Sequence, residues 1–279
     1  MDVFSEYIHL EEVFTFPDSI VYRAQNINNN RPVIIKKFTK EYTKKKFSEL
    51  KKRLKKENKV DYDFISYPLR FLQSGKNPVM TWEDTGAMFL SVILEHKEID
   101  LDRFFNYAIK ITRTLGELHA THSVHNDLRP QNILVDEKNN EISFTGISFI
   151  KRGNEGKGVN TPETMGEDIA LYTSPEQTGR INWEIDQKSD LYSLGVLFYR
   201  MLAGKTPFED ETVQKRIQNH LVVEPVSICE INPDCPPVLN QITQKLLSKG
   251  PEDRYQSAFG LLKDLENCRH QIEVLNQIE

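Results

Sequence analysis

The sequence contains few cysteines and no long apolar run. Its 279 residues include three cysteines, none of them in a Cys-x-x-Cys pair. A sparse, odd set of thiols is typical of a reducing environment and does not indicate a disulfide framework. No apolar stretch approaches the ~20 residues that a membrane-spanning helix requires, and the first residues lack the basic and apolar segments of a signal peptide. We therefore expect a cytoplasmic protein without a membrane span.

A net positive charge is also missing. The formal net charge is -5 at pH 7, so the composition offers no general electrostatic basis for nucleic-acid binding. Hydrophobic residues make up 38% of the chain and charged residues 28%, which is ordinary for a globular protein. The length fits one domain of two lobes or two compact domains.

The spacing of apolar residues changes along the chain. Short β-prone runs lie at 19–24, 32–38, 65–73 and 78–83, and a basic helix is predicted over 43–60. After Asp84–Gly86 the pattern becomes helical. Amphipathic helices are predicted over 102–122 (with Asp102 as N-cap), 188–203, 209–219, 237–248 and 257–276. This order predicts an α+β fold over 1–279, with a small β-rich lobe and one helix at 1–83, a hinge at 84–86 and a larger, mainly helical lobe at 87–279.

Four short motifs occur in an order that is typical of a known family. The run Val33–Lys36 reads VIIK, and the segment His125–Asn132 reads HNDLRPQN before an apolar stretch. Ser174–Glu176 reads SPE, and SDLYSLG follows from Ser189. In this spacing the motifs resemble the protein kinase family, and the resemblance covers essentially the whole chain. Among kinases, the chain is most similar to the N-terminal kinase-like module of large bacterial signalling proteins, which also carry ATPase, GAF and histidine-kinase regions.

The resemblance implies a nucleotide site. Lys36 would hold the ATP phosphates, and Glu57 on the following helix would form an ion pair with it. Glu49 is the alternative partner, although it projects at a different angle. Glu83 is the acid at the start of the hinge, and Trp82 before it either narrows the adenine pocket or simply packs in the core.

The same resemblance implies roles for the segment that begins at His125. Asp127 would accept the proton of a substrate hydroxyl, and Asn132 would bind magnesium, as the one weak metal ligand that remains. Arg129 replaces the lysine that usually lies beside the γ-phosphate, which keeps the charge but changes the geometry. Asp190 would anchor the backbone of this loop, and Glu176 would pair with Arg254.

Several parts of the phosphate-transfer site depart from the family pattern. Phe14, Phe16 and Ser19 stand where the glycine-rich loop has glycines, which allow the backbone to approach phosphate closely. Phe144 stands where the family has the aspartate of the D-F-G motif, which holds magnesium. Asn126 replaces the arginine that grips a phosphorylated activation loop.

These departures favour a pseudokinase, a kinase fold that binds a protein partner, downstream domains of a longer signalling protein, or ATP, with weakened Mg²⁺ binding. The retained Lys36, Asp127 and Asn132 favour the alternative, an active serine/threonine kinase that phosphorylates protein hydroxyls with atypical metal binding. A variant with different transfer chemistry, such as movement of a nucleotidyl group, stays open at this point.

Overall fold

The computed structural model describes residues 3–57, 62–145, 151–152 and 166–277. The chain divides into two compact units. The first consists of Met1–Val92 and Leu134–Ser148, and the second of Ile93–Ile133 and Phe149–Glu279. The segment that begins at Leu134 therefore groups with the N-terminal residues. A single division at the predicted hinge, 84–86, would place this segment in the other lobe. Within the described ranges, no helix combines the length and the apolar character needed to cross a bilayer.

A five-stranded antiparallel sheet forms the frame of the first unit, with strand order β1-β2-β3-β5-β4. The strands are β1 (Tyr7–Phe16), β2 (Ser19–Asn26), β3 (Pro32–Phe38), β4 (Arg70–Ser74) and β5 (Asn77–Glu83). Sequence patterns predicted four of them. They missed β1 because most of its residues are exposed and its register shifts twice, so its side chains lack a clean alternation.

The two faces of this sheet carry separate apolar clusters. Tyr7, Ala24, Val33, Ile35 and Val79 pack together on one face. The other face carries a second cluster, which includes Val21 and Ile34 and is described with the site. Helix α1 (Lys44–Glu57) follows β3, and its Phe47 stacks on Phe71 of β4 at 4.6 Å between ring centroids.

A small three-stranded sheet completes the first unit, in the order β6-β8-β9. Its strands are β6 (Met88–Phe89), β8 (Ile133–Asp136) and β9 (Glu141–Phe144), and helix α2 (Leu90–His96) follows β6. The β8–β9 hairpin follows directly on the His125–Asn132 segment, so the apolar stretch after Asn132 forms strand β8.

The second unit is mainly helical. Its helices are α3 (Leu101–Ala120), α4 (Glu167–Tyr172), α5 (Gln187–Ala203), α6 (Val213–Val222), α7 (Ile228–Ile231), α8 (Pro237–Leu246) and α9 (Ala258–Asn276), and a two-stranded ladder joins β7 (Ser123–Val124) to β10 (Lys151–Arg152). The prediction of Asp102 as N-cap was wrong, because Asp100 caps α3. Its carboxylate accepts a hydrogen bond from the Arg103 amide. Likewise α6 starts after the cap Thr212, later than predicted. The α+β class, with a sheet and one long helix before a helical region, is confirmed.

Candidate functional site

Lys36 lies near the end of β3, opposite Val21 of β2. Its residue surface is 3% exposed. Its Nζ lies 5.4 Å from the ring centroid of Phe89, 5.5 Å from that of Phe38 and 5.8 Å from that of Phe16. The faces of aromatic rings attract a cation, by about 0.5–2 kcal/mol for each close ring. The amine expected to hold phosphate is therefore surrounded by aromatic rings on several sides.

Phe16, at the end of β1, fills the face of the sheet beside Lys36. Only 3% of Phe16 is exposed, and it packs with Val21, Ile34, Phe89 and Val92. Its ring meets that of Phe89 edge-on, with centroids 6.4 Å apart. A side chain thus occupies the position where the resemblance expects bare glycine backbone.

The other two expected glycine positions also carry ordered side chains. The ring of Phe14 is half-buried and lies 4.7 Å from that of Phe16 between centroids. Ser19 is fully buried, and its Oγ donates a 2.8 Å hydrogen bond to Oδ1 of Asp18. The β1–β2 hairpin is therefore closed by side-chain packing and side-chain hydrogen bonding.

Phe144 ends β9 and is fully buried. Its amide donates to the Phe64 carbonyl at 3.0 Å, and its carbonyl accepts from the Ser66 amide at 2.9 Å. The position expected for a metal-binding carboxylate is thus a core phenyl ring fixed by backbone hydrogen bonds. Gly146, which anchored the motif alignment, lies outside the described residues.

Glu57 and Glu49 are the two candidate ion-pair partners of Lys36, and the structure describes the side chain of Glu49 alone. Glu57 is the last residue of α1, and its side chain lies outside the described residues. Glu49 is exposed. The choice between them stays a prediction.

Trp82 and Glu83 end strand β5. Trp82 is 4% exposed and donates its indole N–H to the Ser66 carbonyl at 3.1 Å. It lies opposite Ile34 in the sheet. Glu83 is exposed. Its role in nucleotide binding stays a prediction.

In the second unit, Asp190 anchors the loop that follows β7. Its Oδ2 accepts from the His125 amide at 2.8 Å, and its Oδ1 accepts from the Asn126 amide at 2.7 Å. His119 Nε2 lies 2.9 Å from the same Oδ2. All of these residues are buried. The predicted anchoring role of Asp190 is confirmed, because two consecutive amides converge on its carboxylate.

Asp127, Arg129 and Asn132 are brought together by this loop. Arg129 Nε donates to Asp127 Oδ1 at 3.0 Å, and Asn132 Nδ2 donates to Asp127 Oδ2 at 2.6 Å. The Asn132 amide also bonds the Asp127 carbonyl at 2.9 Å. The three residues are between 3% and 7% exposed. Each carboxylate oxygen of the expected base is thus engaged by a neighbour in its own loop.

Two further residues join this loop and were not singled out from the sequence. Gln177 Nε2 donates at 2.9 Å to both the carbonyl and Oδ1 of Asn126, while its Oε1 accepts from Ser174. Asp168 Oδ2 lies 4.0 Å from Nη1 of Arg129. The sequence did contain a pattern that could have identified Gln177, because Ser174 and Gln177 have the S-x-x-Q spacing of a helix cap. No comparable pattern pointed to Asp168. Asn126 is therefore held by an amide network.

Glu176 and Arg254 form the expected ion pair. Nη1 and Nη2 of Arg254 lie 2.7 Å and 3.0 Å from the two Glu176 oxygens. The guanidinium also donates to the carbonyls of Lys188, Ser248 and Lys249. This prediction is confirmed.

A magnesium ion prefers several oxygen ligands, usually including one or two carboxylates. Asn132 carries an amide oxygen, and its amide nitrogen is committed to Asp127. Across the described ranges, no group of three or more acidic, histidine or cysteine side chains is arranged to hold a metal. At the position where the resemblance expects the magnesium-binding carboxylate, the chain has Phe144, whose side chain offers no oxygen ligand.

Comparison with known proteins agrees with the motifs. Residues 18–264 match the protein kinase domain. The chain is 29% identical to a probable serine/threonine-protein kinase of Clostridium acetobutylicum over 93% of its length and 28% identical to another of Clostridium perfringens over 90%. It is also 29% identical to hybrid signal transduction histidine kinase G of Dictyostelium discoideum, over 65% of its length.

The chain spans only part of each of these relatives. It covers 39% of the Clostridium acetobutylicum protein, 36% of the Clostridium perfringens protein and 7% of the Dictyostelium protein. The similarity therefore concerns one region within longer proteins.

Proposed function

Because the chain belongs to the protein kinase family, we propose that it is a signalling domain of kinase fold with weak or absent phosphoryl transfer, which acts mainly by binding a protein partner. The observation that carries this proposal is the packing of Phe16 and Phe89 with Val21 and Ile34 beside Lys36. An apolar cluster fills the sheet face that the resemblance assigns to nucleotide.

The first support is steric. Phosphate binding by a glycine-rich loop depends on backbone amides that approach the ligand without side chains in the way. Phe16 is buried, and its ring belongs to the apolar cluster. The ring therefore occupies space that a glycine at this position would leave open to phosphate. ATP binding requires this ring to leave its contacts, and truncation data on buried phenylalanines indicate a cost of about 3–5 kcal/mol.

The second support is electrostatic. Protein kinase domains in general use ATP with Mg²⁺, and the metal neutralises charge that develops on the transferred phosphate. Asn132 would be the remaining ligand, and Phe144 replaces the carboxylate. Loss of such a charge-stabilising group lowers the rate on the order of a thousandfold, or about 4 kcal/mol.

A second candidate function is an active serine/threonine kinase with atypical metal binding. The observation that favours it is the loop in which Asp127, Arg129 and Asn132 lie together, buried and hydrogen-bonded. Two relatives are named probable serine/threonine-protein kinases. In this alternative, Asp127 takes the proton of a protein hydroxyl and Lys36 holds the ATP phosphates.

Two measurements separate these functions. Thermal unfolding is followed with and without ATP, each with and without magnesium, and autophosphorylation is measured with labelled ATP. We expect no stabilisation by ATP and negligible labelling. Labelling that is robust in the wild type and disappears in Asp127→Asn would overturn the proposal and establish the active kinase. Stabilisation by ATP without magnesium and without labelling would instead assign nucleotide binding to an inactive domain.

The partner belongs to the same proposal. One similar protein is named a hybrid signal transduction histidine kinase, which supports a role beside other domains of a signalling protein. Co-purification of the tagged chain with a separately expressed histidine kinase domain tests that role, and its absence would count against it.

A further inference from the structure

The three cysteines of the chain lie close together in the second unit. Cys229 is in α7, Cys235 is in the turn that leads to α8, and Cys268 is on α9. Cys235 and Cys268 are 4% and 2% exposed, whereas Cys229 is half-buried. Burial first, and then the neighbouring side chains of Cys229 and Cys268, raise the pKa of Cys235 to about 12. A chain with few thiols thus has all of them in one place, and the functions proposed above do not use them.

Cys229 and Cys235 are in direct contact. The Cys229 thiol donates a hydrogen bond to the main-chain carbonyl of Cys235, with 3.4 Å from Sγ to O. Hydrogen bonding by the Cys229 side chain is also among the causes that raise the pKa of Cys235, whereas Cys268 acts on it through charge alone. A carbonyl oxygen is two bonds from Cα of its own residue. The Cys229 sulfur therefore approaches Cys235 to the short range from which a disulfide can form.

The segment between these two cysteines is held by hydrogen bonds at its start, middle and end. The Ile228 amide donates to Oδ1 of Asn240 at 2.9 Å. Asn232 Nδ2 donates to the Leu202 carbonyl at 2.9 Å, and the Cys235 amide donates to the Asn232 carbonyl at 3.0 Å. Bringing two thiols together costs little conformational entropy when the segment between them is already ordered. The fold therefore prepares this pair for reaction.

Two other roles for the cysteines fit less well. A zinc ion requires sulfur ligands at about 2.3 Å in a tetrahedral arrangement, and in the described ranges no three cysteine, histidine or acidic side chains are placed to hold a metal. Inert packing suits Cys268, because burial raises its pKa to about 11 and keeps its thiol protonated. Cys229 differs from Cys268, since its half-buried thiol is open to a small oxidant.

We propose that Cys229 and Cys235 form a reversible disulfide when the protein meets a hydroperoxide such as hydrogen peroxide. The Cys229 thiolate attacks one peroxide oxygen, the O–O bond breaks, and the products are a sulfenic acid and a hydroxide that takes up the thiol proton to form water. The Cys235 sulfur then attacks the sulfenic sulfur, the S–O bond breaks, and the leaving hydroxide takes the Cys235 proton to form a second water. The two thiols lose two electrons and the peroxide gains them. The inference concerns the second unit alone, and it holds whether or not the domain transfers phosphate.

Trypsin separates the reacting pair from the third thiol. Cys229 and Cys235 share the tryptic peptide 217–245, and Cys268 falls in the peptide 264–269. The reduced protein is treated with hydrogen peroxide, unfolded, alkylated with N-ethylmaleimide and digested. We expect the first peptide to lose about 2 Da, for two hydrogens, and to take up no maleimide. The second peptide should stay alkylated, and dithiothreitol should restore alkylation of the first.

Single variants and an unfolded control test which thiols react and whether the fold selects them. Cys229→Ala and Cys235→Ala should each abolish the disulfide. Cys268→Ala, the matched loss of a buried thiol, should keep its rate within about twofold of the wild type. In the folded protein we expect Cys268 to be oxidised about tenfold less than the pair or lower still, and we expect urea to abolish this selectivity because it exposes all three thiols.

The proposal fails if the two peptides are found linked to each other, because the reacting pair would then include Cys268. It also fails if the oxidation of the wild type stops at a sulfenic acid that dimedone traps, if Cys268→Ala abolishes the disulfide, or if peroxide leaves all three thiols open to alkylation. Thermal unfolding of each variant, run in parallel, identifies any variant that is not folded. The peptide masses of the wild type require no variant, so they decide the outcome even if one variant is lost.

Discussion

Glu176 and Arg254, 78 residues apart in the sequence, form a two-pronged ion pair that is shielded from solvent on both sides. Glu176 is held in a short 3-10 turn (Pro175–Thr178), and Arg254 follows another (Pro251–Asp253). The pair therefore ties the segment before α5 to the segment before α9.

Removing one partner of this pair should be costly. Glu176→Gln leaves the buried guanidinium without its counter-charge, and such changes destabilise proteins by about 3–5 kcal/mol. Urea unfolding measures the loss. Glu252→Gln breaks the Lys188 pair, in which the glutamate is 81% exposed, and should cost less than about 1 kcal/mol. Equal effects of the two changes would show that the buried pair is not the stronger link.

Phe16→Ala should open the space beside Lys36. The loss of a buried ring costs about 3–5 kcal/mol of stability, but ATP should then stabilise the variant by about 1.4 kcal/mol at a concentration ten times its Kd. Thermal unfolding with and without ATP measures both effects. Phe47→Ala removes a ring that stacks on Phe71 and should gain no response to ATP. A wild-type protein that already responds as strongly as Phe16→Ala would contradict the filled-space interpretation.

Gly195 of α5 packs closely against Leu246 of α8. A Cβ at this position would lie 2.7 Å from Cβ of Leu246 and 3.3 Å from its backbone carbon. Gly195→Ala should therefore destabilise the protein by about 1–3 kcal/mol, because the two helices must separate.

The matched comparison is Gly116→Ala. Its Cβ would meet the ring of Phe259, a side chain that is 51% exposed. We expect the exposed ring to shift more easily than helix backbone, so the cost should stay below about 1 kcal/mol. Denaturant midpoints at equal m-values give both numbers. If Gly116→Ala proved the more damaging change, the close helix contact would not be the reason for glycine at 195.

His220 should make stability depend on pH. Burial, with a contribution from Lys249, lowers the pKa of His220 to about 3, and its Nδ1 lies 2.9 Å from the Tyr192 hydroxyl. In the unfolded chain the pKa of histidine is about 6.5. Between these values the unfolded state binds the extra proton, so stability falls as the pH falls below 6.5. From pH 7.5 to 5.0 this group should remove about 2 kcal/mol.

Urea unfolding at the two pH values tests this expectation. His220→Phe should lose most of that difference between pH 7.5 and 5.0, whatever its effect at neutral pH. His270→Gln, which removes an exposed histidine, should keep the wild-type dependence. A wild-type slope that survives in His220→Phe would assign the effect to other groups.

Local sequence patterns predicted most of the regular elements and the loop around Asp127. Strands β2 and β3 show β-prone runs, and α3 has strong helical spacing, so neighbouring residues alone determine them. Strand β1 was missed because its exposed edge position and its bulges remove the alternation. The cap of α3 was placed two residues late because both Asp100 and Asp102 are suitable capping residues, and only the turn geometry selects between them.

Within the site, the sequence alone determined which side chains are present: the lysine, the loop acid and amide, and the aromatic residues in place of glycines and a carboxylate. The resemblance to the kinase family implied the pairing of Asp190 with the loop backbone and of Glu176 with Arg254, and the structure contains both. Only the tertiary structure decided that Phe16 is buried beside Lys36 and that Asp127 is bonded through both oxygens. It also decided that Gln177 holds Asn126. These relationships join residues distant in sequence, and they depend on packing and burial that no local pattern records.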